Sequence, residues 1–268
     1  MLIKELELLS RERGRRLVRH GIAASWPAFM QIRNEIATIR WRSNNQWSAP
    51  IVARIAVGGY IKGGPFHSAC VEAYYAHIPG WRIVFPSTAE DAKGLIKTAI
   101  RCNDPVLFLE HKGLYRRIQS KTLEPDAEYL VPMGKGCIRR EGEDATIVTW
   151  GSTVYLALEL VRQLESEGSR VSLEIIDLRS IIPWDHELVY SSVRKTNRVL
   201  VVHEDSITMG FGAEIAACIA ENCLDALDSP VIRVAARDCF VPSAPTLEAA
   251  VLPSVMDLRS ALQRLLAY

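Results

Sequence analysis

The chain has 268 residues, 49% of them hydrophobic and 24% charged, and its 32 Lys and Arg nearly balance 31 Asp and Glu. This is a globular composition with enough apolar residues for a substantial core. A formal charge of +1 leaves no electrostatic footprint for nucleic acid or a membrane surface, and no uncharged apolar run reaches the roughly 18 residues of a spanning helix. The six cysteines, Cys70, Cys102, Cys137, Cys218, Cys223 and Cys239, form no C-x-x-C pair and no zinc-type spacing with histidine. Such scattered cysteines are expected to act as small buried hydrophobes in a reducing, cytoplasmic setting.

Residues 1–20 read as a helix, with Leu2, Ile3, Leu6, Leu8 and Leu9 followed by Arg11, Arg13, Arg15, Arg16 and Arg19. Glu5, Glu7 and Glu12 argue against a transit peptide, and no small-residue cleavage site marks a secretory signal. A solvated or frayed helix is expected, with a basic patch for an acidic partner as the functional alternative. Helical patterns over 28–42, 68–77 and 88–101 then alternate with apolar, β-branched runs over 50–57, 82–86 and 105–110. Ser87 and Glu90 have the spacing of a capping box for the third helix. Residues 113–144 are rich in Lys, Arg, Glu, Pro and Gly and read as a linker plus an entry strand.

Beyond Asp144 the alternation is regular. Strands are expected over 145–150, 171–178, 198–203 and 230–235, and helices over 153–166, 185–194, 211–222 and 255–266. Strands written as continuous Val/Ile/Leu runs are buried on both faces, which predicts mainly parallel sheets covered by helices. Two α/β domains divided near residues 120–140 follow.

Several motifs are more specific. Gly58-Gly59-Tyr60-Ile61-Lys62-Gly63-Gly64-Pro65-Phe66-His67-Ser68 is a glycine-rich loop ending in histidine before a helix. After it come Glu72 to Gly80, Val84-Phe85-Pro86-Ser87-Thr88, Asp91-Ala92-Lys93-Gly94-Leu95 and Glu110-His111-Lys112. Later lie Ile176-Asp177-Leu178-Arg179, Ile182-Pro183-Trp184-Asp185, His203-Glu204 and Gly210-Phe211-Gly212-Ala213-Glu214-Ile215. This ordered series resembles the beta subunits of thiamine-diphosphate-dependent 2-oxo acid dehydrogenases, of pyruvate or branched-chain 2-oxoisovalerate type, over roughly residues 26–268. Those proteins are related to the pyrimidine-binding and C-terminal domains of transketolase.

The resemblance implies a divergent segment at 1–25, a partial, N-terminally truncated pyrimidine-binding domain at 26–120, a linker at 121–143 and a transketolase C-terminal-type α/β domain at 144–268. It implies oxidative decarboxylation of a 2-oxo acid and acyl transfer to lipoyl groups. Thiamine diphosphate would be shared with an alpha subunit, which holds the Mg2+, in an alpha2beta2 heterotetramer that docks on a lipoyl acyltransferase core. His67 matches the family histidine that faces the reacting centre. A structural K+ site would use Ile51, Ala99, Ile100, Cys102 and Asp104, largely through backbone carbonyls.

The sequence also departs from the family. The segment carrying the glutamate that contacts the aminopyrimidine ring has no counterpart, and Glu5, Glu7 and Glu12 do not inherit its role. Ala24 stands where an aromatic residue packs on that ring, Met30 where aspartate is common, and the Gly-Asp-Gly…Asn diphosphate motif is lacking. Two other readings therefore stand beside the enzyme subunit: a non-catalytic remnant acting in assembly, and an acetoin dehydrogenase beta subunit; the 182–185 and 203–204 motifs disfavour a transketolase.

Four further histidines need placing. His203 and Glu204 end a predicted parallel strand, where ligands and interfaces gather; a subunit contact or active-site wall competes with a plain loop histidine. Gly210 and Gly212 are not read as a phosphate loop. His77, His111 and His186 share no metal spacing and read as structural or surface residues.

Overall fold

The computed structural model describes residues 16–21 and 25–268. Two five-stranded sheets organise these residues. In the first, β2 (Ile51–Val57) and β4 (Val106–His111) run parallel, with Val52 opposite Val106 and Val57 opposite His111. Every residue of β4 is buried, as a strand covered on both faces requires. β3 (Arg82–Val84) flanks β4 in parallel.

The edge of this sheet corrects the sequence reading. Arg16–Gly21, expected as the end of a helix outside the first domain, is strand β1, paired in parallel with β2 from Arg16 opposite Ile51 to Gly21 opposite Ala56. Backbone pairing with an otherwise free edge overrides a weak helical propensity. So the first sheet does not open at β2. Residues 1–15, with Glu5, Glu7 and Glu12, and residues 22–24, with Ala24, lie outside the described residues.

The other edge is filled from the second half of the chain. β8 (Ser180–Ile182) pairs antiparallel with β3, giving the order β1-β2-β4-β3-β8. The second sheet has the order β10-β9-β6-β7-β5, from β5 (Cys137–Arg140), β6 (Ala145–Thr149), β7 (Leu173–Asp177), β9 (Val199–Ser206) and β10 (Ile232–Ala236). All its pairings are parallel except β5 with β7. One apolar cluster runs through both halves, joining Ile55, Ile83 and Leu107 to Val148, Ile176 and Val201.

The helices largely follow the predicted pattern. The expected helix over 28–42 is instead a π-helical stretch, Gln31–Ile36, followed by the four-residue α1 (Ile39–Arg42). That over 68–77 shrinks to α2 (Glu72–Ala76). α3 (Ala89–Arg101) buries Leu95, Ile96, Ala99 and Ile100 with Val52, Val106 and Phe108. Its cap lies one residue later than expected: Thr88 Oγ1 accepts from the Asp91 amide at 3.1 Å. Ser87 is freed to donate to buried Asp177 at 2.5 Å. Asp177 and Asp91 also take Arg139, and Asp91 takes Arg179 at 2.9 Å, so a buried ionic knot ties α3 to β5 and β7. α4 (Thr153–Ser166), α5 (His186–Thr196), α6 (Phe211–Cys223), α7 (Pro245–Val251) and α8 (Val255–Leu266) complete the second half. No helix among the described residues is long and apolar enough to cross a membrane.

Candidate active site

The strand ends of the two sheets converge on one another. β2 runs into the glycine-rich loop, β4 ends at His111, and β9 brings Glu204 to the same place. The loop needs its glycines here. Gly58 has φ +91°, and a Cβ on it would collide with the His111 ring; a Cβ on Gly59 would lie 2.5 Å from Leu252 Cδ1 and 3.3 Å from Glu204 Oε1.

Glu204 is the hub. Its carboxylate accepts from the Gly59 amide at 2.5 Å, from Ser152 Oγ at 2.5 Å, and from His111 Nε2 at 2.6 Å. The Gly113 amide donates to His111 Nδ1 at 3.1 Å, which places the imidazole proton on Nε2, facing Glu204. Burial pushes the Glu204 carboxyl up, but His111, the Gly59 amide and Ser152 outweigh it and hold the acid below its ordinary range. Glu204 is thus an ionised, satisfied anchor joining the first-domain loop to the second sheet.

Farther along the loop, Tyr60 and Lys62 have φ of +58° and +60°. Non-glycine residues in the left-handed region cost about 1–2 kcal/mol each, so something must hold them. Buried Glu248 of α7 accepts from the Ile61 and Lys62 amides at 3.2 and 3.0 Å, and Tyr60 donates its hydroxyl to the Pro253 carbonyl at 2.8 Å. Lys112 Nζ holds the His67 carbonyl. The backbone is pinned from both halves while the His67 side chain and Phe66 stand exposed.

The sequence-predicted residues divide accordingly. His67 lies at the free end of the pinned loop. His111, set aside with His77 and His186, belongs to the buried hub; its place in Glu110-His111-Lys112 was the signal for it. His77 and His186 are exposed, His186 stacking on Trp184 with ring centres 3.6 Å apart. His203 is neither a wall nor a loop residue. It is fully buried in β9, stacked on Trp150 at 5.4 Å, and neither ring nitrogen has a hydrogen-bond partner among the described residues. Gly210 and Gly212 press against its ring, which explains that glycine pair as packing. Burial, with Arg233 adding to it, drives the His203 pKa down to about 3.

Beside His203 lies a carboxyl pair that sequence reasoning missed. Glu72 is fully buried and takes one bond, from Trp150 Nε1 at 3.0 Å, leaving Oε2 unpartnered among the described residues. Burial first, then Asp205, pushes its pKa up to about 8. Asp205 is raised to about 6, chiefly by burial. Glu72 is therefore protonated at neutral pH, chiefly because burial disfavours its charge and the Asp205 charge adds to that, while Asp205 is the acid of the pair that ionises first.

The residues marked for potassium gather where α3 ends and β2 and β4 begin. The Ala99 carbonyl accepts from the Cys102 amide at 3.2 Å. The Asp104 carboxylate is taken by Arg40 at 2.8 Å and Arg82 at 2.9 Å. Any ion there would have to meet backbone carbonyls. Among the described residues, no group of three or more His, Cys, Asp or Glu could hold a metal.

Residues 18–118 match the transketolase pyrimidine binding domain, and residues 134–258 the transketolase C-terminal domain. The 2-oxoisovalerate dehydrogenase subunit beta of Bacillus subtilis is 46% identical over 83% of this chain and 67% of its own length. The pyruvate dehydrogenase E1 component subunit beta of the same organism is 37% identical over 88% of this chain and 71% of its length. This chain belongs to the family of 2-oxo acid dehydrogenase beta subunits. It covers less of some other members of that family: the mitochondrial 2-oxoisovalerate dehydrogenase subunit beta 2 of Arabidopsis thaliana is matched over 60% of its length, at 43% identity. A solved structure described as a split gene transketolase, inactive beta4 tetramer, superposes with TM-score 0.75 at 25% identity, covering 94% of this chain and 76% of that one.

Proposed function

We propose that this protein is the beta subunit of a 2-oxo acid dehydrogenase that decarboxylates a branched-chain 2-oxo acid or pyruvate together with an alpha subunit. Kinship supports the reaction class. The observation that carries the reading on this chain is the glycine-rich loop: its backbone is anchored at Gly59, Ile61, Lys62 and His67 while the His67 imidazole is left outside the fold. A rigidly mounted, solvent-facing imidazole suits proton handling on a group brought by another polypeptide.

Thiamine diphosphate would supply the electron sink for decarboxylation and carry the acyl fragment. The donor set here fits one side of such a group: His67 would face its reacting end, and Phe66 beside it offers apolar area. The diphosphate and its Mg2+ are assigned to the alpha subunit. Exposed Phe66, Tyr74, Tyr115 and Ile118 on the first domain support a partner that covers part of its surface. An alpha2beta2 assembly on a lipoyl acyltransferase core completes the reading, in a cytoplasmic setting suited to six free cysteines. A K+ ion held by carbonyls of Ile51, Ala99, Ile100, Cys102 and Asp104 is part of the same proposal, supported by their convergence at one end of α3.

The test is co-expression with the cognate alpha subunit and an assay of cofactor-dependent decarboxylation across several 2-oxo acids. Turnover by the pair that drops about 100-fold or more in His67→Ala is the expected result. An assembled pair that never turns over any of them ends the catalytic reading.

A further inference from the structure

We propose that Glu248, on α7 of the C-terminal half, is a positioning residue for the histidine loop of the first domain. The inference rests on the reading of His67 as the group facing the reacting centre. Glu248 is buried, 6% exposed, and lies 181 positions from His67 (248 − 67), yet its Oε1 receives two consecutive loop amides, Ile61 and Lys62. Those amides belong to a turn whose residues Tyr60 and Lys62 both have positive φ. A backbone bent in this way turns two successive N–H groups toward one oxygen, so acceptor and turn geometry stabilise one another.

The neighbouring contacts define what Glu248 adds. Glu204 fixes the loop's entry at Gly59, and Lys112 fixes its exit at the His67 carbonyl. Between them, only Glu248 and the Tyr60 hydroxyl on Pro253 reach across from the C-terminal half among the described hydrogen bonds. Gly64 leans on Ser243, just ahead of α7, so a Cβ there would strike Ser243 Oγ. The second half of the chain thereby sets where the loop places its histidine. Glu248 itself touches the loop backbone and acts through His67.

The experiment uses the full chain assembled with its alpha subunit, thiamine diphosphate and Mg2+. It compares Glu248→Ala, Glu248→Gln, His67→Ala and the Glu248→Ala/His67→Ala double variant. Glu248→Ala should lower kcat about 10- to 100-fold, the scale of a misplaced catalytic group, with KM for the 2-oxo acid nearly unchanged. Glu248→Gln keeps a carbonyl oxygen for both amides and should restore most of kcat. In the His67→Ala background, loss of Glu248 should add almost nothing. Hydrogen exchange at the 59–63 amides should quicken about tenfold in Glu248→Ala and stay near wild type in Glu248→Gln.

Unchanged exchange, or a kcat loss that multiplies fully on top of His67→Ala, overturns the proposal. Full turnover in His67→Ala would instead overturn the reading of His67, and the exchange data would then judge the clamp alone. Should Glu248→Ala fail to fold, Glu248→Asp shortens the side chain by one methylene and withdraws its oxygen from the Ile61 and Lys62 amides; faster loop exchange with reduced kcat supports the proposal, and no change in either refutes it.

Discussion

His203, Glu204 and Asp205 follow one another on β9, yet the two faces of that strand hold opposite kinds of chemistry. Alternation points Glu204 to one side, where an imidazole, an amide and a hydroxyl complete its carboxylate. His203 and Asp205 point to the other, toward Trp150 and Glu72, where two ring nitrogens and one Glu72 oxygen lack partners among the described residues. The satisfied face keeps its acid ionised and locks the two halves together. The unsatisfied face keeps Glu72 and the His203 imidazole neutral at pH 7. Burial is equal on the two sides; the supply of hydrogen-bond partners decides the charge state.

The strongest challenge to this contrast is Glu204→Ala. It leaves His111, the Gly59 amide and Ser152 facing an empty site, and should destabilise the protein by about 3–5 kcal/mol in chemical denaturation at pH 7. A loss below about 1 kcal/mol would show that the hub is not an anchor.

On the other face, Glu72 should make stability fall as pH rises. Its folded pKa of about 8 exceeds the unfolded 4.5, so between these values the folded chain holds a proton that the unfolded chain releases. From pH 5 to 7 this amounts to roughly 2–3 kcal/mol lost. Glu72→Gln, which cannot titrate, should remove that slope; a wild-type and variant pair with parallel pH profiles would refute the assignment.

His203 should act with the opposite sign and slightly less strongly. Its folded pKa of about 3 lies below the unfolded 6.5, so the unfolded chain takes the proton first on acidification. Stability should drop by about 2 kcal/mol from pH 7 to pH 5 on this account, and His203→Leu should abolish the drop. Measuring both variants over one pH series separates two trends that partly cancel in the unmutated protein.

How much of this was readable beforehand varies by region. The Val/Ile-rich runs before residues 57, 111, 149 and 203 are strands because continuous apolar sequence of that length suits a sheet covered on both faces. The glycine-rich loop and His67 were visible as a motif. β1 was not, because Arg16–Gly21 pairs only by docking on β2, and its own residues carry helical signals just as well. The α3 cap slipped from Ser87 to Thr88 because Asp177, a residue of β7, claims the Ser87 hydroxyl. For His203, polar at a strand end, a contact or wall residue and a plain loop histidine were both open, and nothing local revealed the Trp150 ring above it.

From its residues alone, the chain dictated alternating α/β organisation, two halves, and kinship with a thiamine-dependent enzyme family, since hydrophobic periodicity and short motifs are local properties. Folding decided which groups meet: Glu204 and Glu248 with the loop, β8 with the first sheet, Glu72 with Asp205. Those partners lie from tens to nearly two hundred residues apart, and whether a buried acid is charged or neutral depends on which of them it finds.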